Sequence, residues 1–76
     1  MRILLQGLET PERLNKVLAA TRISSERKIN ALHDYFVRGT YLSGAAIIND
    51  LKPDKFGELV KKVHKVASKL AKKGEL

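Results

Sequence analysis

The last third of the chain, residues 53–73, limits the fold more than any other stretch. Its apolar residues recur at the i, i+3, i+4, i+7 spacing of one helical face: Phe56, Leu59, Val60, Val63, Val66, Ala67 and Leu70. Pro53 suits the first position of a helix, Asp54 suits the positive end of the helix dipole, and Gly74 provides a stop. The pattern predicts one long amphipathic α-helix, whose apolar face needs a core supplied by the rest of the chain.

The opposite side of this predicted helix is almost entirely basic. Apart from Glu58, it carries Lys55, Lys61, Lys62, Lys65, Lys69, Lys72 and Lys73. The chain has a formal net charge of +7, and residues 52–76 supply eight lysines against three acidic residues. A basic stripe of this kind indicates binding to nucleic acid, an anionic membrane or an acidic protein. The alternative is a solvated face that keeps a small domain soluble.

An apolar arm over residues 1–9 and a first helix over residues 10–22 are predicted at the start of the chain. Thr10 is a preferred N-cap residue, and Pro11 is preferred at the first helical position. The buried stripe of this helix consists of Leu14, Val17 and Leu18. We expect the arm to pack across the domain or against a second copy of the chain.

Two further helices are predicted, over residues 25–38 and 43–49. Ser24 or Ser25 caps the first of them and Gly39 ends it. Its inward residues are Ile29, Leu32, Phe36 and Val37, and its outward residues are Arg27, Lys28, Asn30 and Asp34. Ser43 is the expected N-cap of the second. Since the chain has 76 residues and shows no strand signal, the sequence predicts a single all-α, small four-helix domain.

The third and fourth predicted helices have the composition of a helix-turn-helix unit. Such a unit packs two helices closely around a short turn. The first helix needs a small residue at the crossing, and Ala46 is one. The turn needs an apolar residue, which is Leu51, and the second helix needs an apolar inner face, which Phe56 supplies. Asp50 stands where the turn often carries Gly, which an Asx-type turn tolerates. The unit predicts binding to double-stranded DNA.

Seven residues in and around this unit are the predicted DNA contacts. They are Arg38, Thr40, Tyr41, Ser43, Lys52, Lys55 and Lys62. Lys55 and Lys62, spaced i, i+7, are expected at the edge that faces the duplex, with Lys52 beside the turn. Ser43 Oγ and the backbone N–H groups at the two helix starts are expected to hold phosphates. The three residues that lead into the unit are expected to reach the DNA backbone.

Catalysis, cofactors, metal binding, a small-molecule substrate and membrane association are not expected. The chain has no cysteine, and its two histidines, His33 and His64, lie on different predicted helices. No nucleophile and base are paired by the sequence pattern. The absence of Trp disfavours an interfacial membrane helix, and the absence of cysteine fits a reducing cytoplasm.

Several short segments occur in a distinctive order along the chain. They are Leu4-Leu5-x-Gly7, Ile23-Ser24-Ser25-Glu26-Arg27, Ala31-x-x-Asp34-Tyr35-Phe36-Val37-x-Gly39, and finally Phe56 and Leu59. In these segments the chain resembles the PapB-type regulators of fimbrial adhesin operons in enterobacteria. The resemblance implies a cytoplasmic, nucleoid-associated DNA-binding protein that regulates adhesin transcription from AT-rich sites in several copies. Leu42 replaces a basic residue of the family pattern, and Pro53 and Asp54 replace an Asn and a Gly.

Self-association is the last expectation, as a homodimer or a higher homo-oligomer. It depends on the apolar arm and on the last helix, whose stripe continues through Val66 and Leu70 beyond the needs of one short unit. The alternative function is a small helical protein–protein interaction module. In that case the long helix pairs with a partner helix and the lysines only solubilise the domain.

Overall fold

The computed structural model describes Leu4 and residues 7–75, and the described part of the chain contains four α-helices and no strand. They are α1 (Pro11–Thr21), α2 (Glu26–Phe36), α3 (Leu42–Ile48) and α4 (Pro53–Lys72). Each lies within one or two residues of a predicted helix. The prediction of an all-α, four-helix domain is therefore confirmed.

Three of the four helices begin at the residues that the sequence marks. Thr10 Oγ1 accepts a hydrogen bond from the Arg13 N–H at 3.2 Å, and Pro11 opens α1. Ser25 is the N-cap of α2. Pro53 is the first residue of α4. These starts depend on local chemistry, so the sequence alone is enough to find them.

The predicted N-cap of α3 is wrong. Tyr41 occupies the N-cap position, with no side-chain cap, and Ser43 is already the second residue of the helix. The Ala45 N–H donates to the Tyr41 carbonyl at 2.8 Å, which closes the first turn one residue earlier than expected. Leu42 is half-buried and packs against the core, so burial of this side chain favours the earlier start.

Helix α2 ends at Phe36, two residues before the predicted end. Gly39 adopts a left-handed conformation with φ 78°, and the Thr40 N–H turns back to donate to the Asp34 carbonyl at 2.9 Å. A side chain at Gly7 would place its Cβ 3.0 Å from the Gly39 Cα. The two glycines therefore mark a close crossing of backbones, which ends the helix.

The described part of the arm packs across its own domain. Leu4 is fully buried in the core. The Gly7 N–H donates to the Tyr35 carbonyl at 3.2 Å, and the Glu9 N–H donates to the Phe36 carbonyl at 3.1 Å. These bonds satisfy carbonyls at the end of α2 that have no partner within the helix. Of the two expectations for the arm, packing within the domain is the one observed at these residues; Leu5 lies outside the described part.

The apolar face of α4 forms one side of the core. Its buried residues are Phe56, Val60, Val63 and Ala67. They belong to the same cluster as the buried residues of α1, which are Leu14, Val17 and Leu18. Aromatic rings tie α2 to α4 edge to face, with 5.3 Å between the centroids of Phe36 and His64. Val66 and Leu70, on which the prediction of self-association depends, are half-buried and pack against this same core.

Candidate nucleic-acid interface

The turn between α3 and α4 is closed by backbone hydrogen bonds. The Leu51 N–H donates to the Ala46 carbonyl at 2.8 Å, and the Asp50 N–H donates to the Ile47 carbonyl at 3.1 Å. This is the Schellman arrangement, which requires a left-handed residue after the helix, and Asp50 has φ 58°. Aspartate tolerates that conformation better than most residues do. Ala46 is fully buried and Leu51 packs against the core, as the helix-turn-helix prediction requires.

Asp34 ties α2 to the end of α3. Asn49 Nδ2 donates to Asp34 Oδ2 at 2.8 Å and to the Ala45 carbonyl at 2.8 Å. The Arg38 guanidinium forms an ion pair with Asp34 Oδ1. Asp34 is only 8% exposed, so its predicted outward position is wrong. The carboxylate is buried because Asn49 and Arg38 supply the polar partners that burial requires.

The outer face of α4 is a surface of exposed lysines, as predicted. The exposed lysines in and beside this helix are Lys52, Lys55, Lys61, Lys62, Lys65, Lys69, Lys72 and Lys73. Lys52 is the N-cap residue, and no side chain caps the start of the helix. The first turn therefore combines nearby ammonium groups with backbone N–H groups at the positive end of the helix dipole, both of which attract anions, and it also carries the acidic Asp54.

Lys55 and Lys62 lie together on the rim of an open groove between α2 and α4. The groove has a volume of about 290 Å³. Lys28 of α2 and the acidic Glu58 line it as well, and its apolar lining consists of Leu51, Phe56 and Leu59. The groove thus brings together three lysines and one glutamate from two helices. Lys28 was missed as a functional candidate because nothing in the pattern of α2 indicates that α4 lies beside it.

The other predicted contacts lie around the junction of α2 and α3. Arg38 keeps 72% of its side chain exposed although it pairs with Asp34. Tyr41 is 82% exposed. Ser43 is exposed and Thr40 is half-buried. The lining of the lysine groove includes none of these four residues. The predicted contacts therefore form two groups, one of lysines on α4, of which Lys55 and Lys62 line the groove and Lys52 is the N-cap, and one at the entry to α3.

Among the described residues, no group of three or more His, Cys, Asp or Glu side chains is placed to hold a metal ion. None of the helices described here combines the length and the apolar character needed to cross a membrane.

The fold and this surface define a small helical domain with a basic helix-turn-helix face. No family model matches the chain, and neither a curated protein nor a solved structure matches it.

Proposed function

We propose that the chain binds double-stranded DNA through the lysine edge of α4 and the residues at the entry to α3, and that it regulates transcription. The observation that supports this most is the uncovered lysine edge formed by Lys55 and Lys62, which Lys28 extends across the groove. Clustered cations that neutralise phosphates supply the sequence-independent part of DNA affinity. Because α4 follows a closed turn and its inner face is buried, its outer face is held in a fixed position for docking in a groove of the duplex.

The two groups of candidate residues have different tasks in this proposal. Lys52, Lys55 and Lys62 contact phosphates along the edge of α4. Arg38 and Tyr41 reach the backbone beside the start of α3, where both side chains are exposed. Contacts to phosphates fix the position and orientation of a protein on the duplex, whereas sequence is read at base edges and in the shape of the DNA.

The resemblance to PapB-type regulators gives the proposal its finer form. In that form the chain is a cytoplasmic, nucleoid-associated regulator of a fimbrial adhesin operon, and it binds AT-rich sites as a homo-oligomer. AT-rich DNA is distinguished by a narrow minor groove and by flexible steps, so a protein can select it through shape and deformability. The proposed regulator has no enzymatic step and needs no cofactor.

Salt dependence of binding tests the proposal directly. Neutralising about five phosphates gives a slope of log K against log salt of roughly −4 to −5. Fluorescence anisotropy with labelled AT-rich and GC-rich duplexes, titrated between about 50 and 200 mM salt, measures this slope. A slope near zero would contradict the proposal.

Paired lysine variants locate the contact. Replacing Lys55 and Lys62 by Ala removes two phosphate contacts, which makes the slope shallower by about 2 and weakens binding about 30-fold near 150 mM salt. Lys69 and Lys72, also exposed but at the far end of α4, provide a control with the same change in net charge. The control pair should weaken binding by no more than about threefold, because only long-range attraction is lost. Equal losses of DNA affinity in the two double variants would show that Lys55 and Lys62 are not the contact site.

The alternative function, a module whose long helix pairs with a partner helix, has less support. The apolar residues that such pairing would use, Phe56, Val60 and Val63, are buried in the chain's own core. A partner that binds the exposed lysines would need an acidic surface. If the lysines bind DNA, an acidic peptide in excess should displace DNA only to the extent that its total charge explains. A tight and saturable complex with the peptide would instead favour the alternative.

A further inference from the structure

The outward face of α3 is apolar and uncovered. Ile47 is 67% exposed and Ile48 is 71% exposed. Both lie one turn after Gly44, at i+3 and i+4, so the three residues share one helical face. The inner face of the same helix is already occupied, since Ala45 and Ala46 are fully buried. Contiguous exposed apolar surface marks contact sites, and these two exposed isoleucines are adjacent in the chain.

This face also differs from the rest of the chain in charge. Helix α3 reads Leu-Ser-Gly-Ala-Ala-Ile-Ile and carries no ionisable side chain, while the whole chain has a net charge of +7. Two copies of so basic a chain repel each other wherever their lysines approach. A neutral face is where two copies can meet with the least repulsion, whereas an acidic partner protein would be attracted to α4 instead.

The shape of α3 suits contact with itself. Gly44 has no side chain, and a Cβ there would lie 3.4 Å from Thr40 Cγ2, so the recess that it leaves one turn before the ridge of Ile47 and Ile48 is shallow. A twofold interface uses the same patch on both subunits, so it needs a patch that carries both a ridge and a recess. In an antiparallel pair of α3 helices, the isoleucines of each copy would lie against the recess of the other.

We propose that two copies of the chain pair through the outer face of α3, with Gly44, Ile47 and Ile48 at the centre of the interface. Seven residues make a small contact, below the roughly 1,200 Å² of a standard interface, and such contacts are transient in free solution. The pairing itself does not depend on DNA binding. Its use in regulation rests on the proposed function, because adjacent DNA sites raise the effective concentration of one copy near the next.

Sedimentation equilibrium over a wide range of protein concentration tests the pairing. The wild-type chain should show a monomer–dimer equilibrium in the micromolar range. Replacing Ile47 and Ile48 together by Gln keeps the net charge and favours the helix, and it should raise the dissociation constant at least tenfold. Leu8, which is 73% exposed in the arm, is the control, and Leu8→Gln should change the constant less than twofold. A wild-type chain that stays monomeric at millimolar concentration would overturn the proposal.

Cysteine cross-linking provides a second measurement that does not depend on weak equilibria. The chain has no cysteine, so a single introduced thiol is unique. Under mild oxidation, Ile47→Cys or Ile48→Cys should form a disulfide-linked dimer at least ten times faster than Leu8→Cys. Equal rates at the three positions would indicate random collision and would refute a specific α3 interface. Circular dichroism of each variant verifies that the fold is retained.

DNA binding separates failure of the pairing from failure of the proposed function. On a duplex with one site, the double Gln variant should bind as the wild type does. On a duplex with two sites, it should lose cooperativity. If no form of the protein binds DNA, the sedimentation and cross-linking results still decide whether α3 pairs. Unchanged cooperativity in the double variant would count against the pairing.

Discussion

Loss of the Asp34 carboxylate should uncouple α2 from α3. The bond from Asn49 Nδ2 to Asp34 Oδ2 is 2.8 Å long and has a buried, charged acceptor, so removing it costs about 1.5 to 3 kcal/mol. The ion pair with Arg38 adds less than about 1 kcal/mol, since 72% of that side chain is exposed. Alanine returns about 0.5 kcal/mol through its helix propensity. Asp34→Ala should therefore destabilise the domain by about 2 kcal/mol.

Thermal unfolding followed by circular dichroism measures this loss. A change of 1 kcal/mol shifts the Tm of a domain this small by about 4 to 8 °C, so Asp34→Ala should lower it by roughly 8 to 16 °C. Asp34→Asn keeps an oxygen that can accept from Asn49, so it should destabilise the domain by only about 1 kcal/mol. Arg38→Ala removes only the exposed partner and should shift the Tm by less than about 8 °C.

A double-mutant cycle assigns the effect to the bond itself. Asp34→Ala and Asn49→Ala should show a coupling free energy of about 1 kcal/mol or more, because the two side chains share one buried contact. Two results would refute the reasoning: a coupling near zero, or an Arg38→Ala variant that is as unstable as Asp34→Ala. Either one would mean that the carboxylate stabilises the domain through its exposed partner, or not at all.

Two further predictions concern residues with positive φ. Asp50 has φ 58° in the turn after α3. Asp50→Gly should stabilise the domain by about 0.5 kcal/mol, and Asp50→Ala should destabilise it by about 1 kcal/mol. Urea unfolding measures both changes. The opposite order would show that the Asp50 side chain contributes more than its backbone. Gly7→Ala should cost about 2 kcal/mol or more, since φ is 73° and the new Cβ would lie 3.0 Å from the Gly39 Cα. Gly74→Ala has the same φ but open space around the Cβ, so it should cost only about 1 kcal/mol, and equal losses would exclude crowding as the cause.

The sequence predicts helix starts better than helix ends. Thr10, Ser25 and Pro53 are recognised because each acts on its own first turn. The end of α2 depends on the arm, more than twenty residues earlier, where the Glu9 N–H caps the Phe36 carbonyl. No window of sequence around the end of α2 contains that information.

The same distinction holds for the candidate site. Periodicity alone places the lysines of α4 on one exposed face, because a helix fixes the relative directions of its own side chains. It does not show that Lys28 lies across a groove from Lys62, since that depends on how α2 packs beside α4. The pattern of α2 predicts an outward Asp34 for a related reason: its partner Asn49 is fifteen residues away and lies outside that helix.

The way in which the turn after α3 is held has a mechanical consequence. Asn49 donates a hydrogen bond to the buried carboxylate of Asp34 in α2, and the Leu51 N–H donates to the Ala46 carbonyl in the last turn of α3. The first of these bonds joins α2 to the end of α3, so the angle between the two helices can change only if a buried hydrogen bond breaks. A molecule that docks at this junction therefore gains by matching the existing angle rather than by altering it.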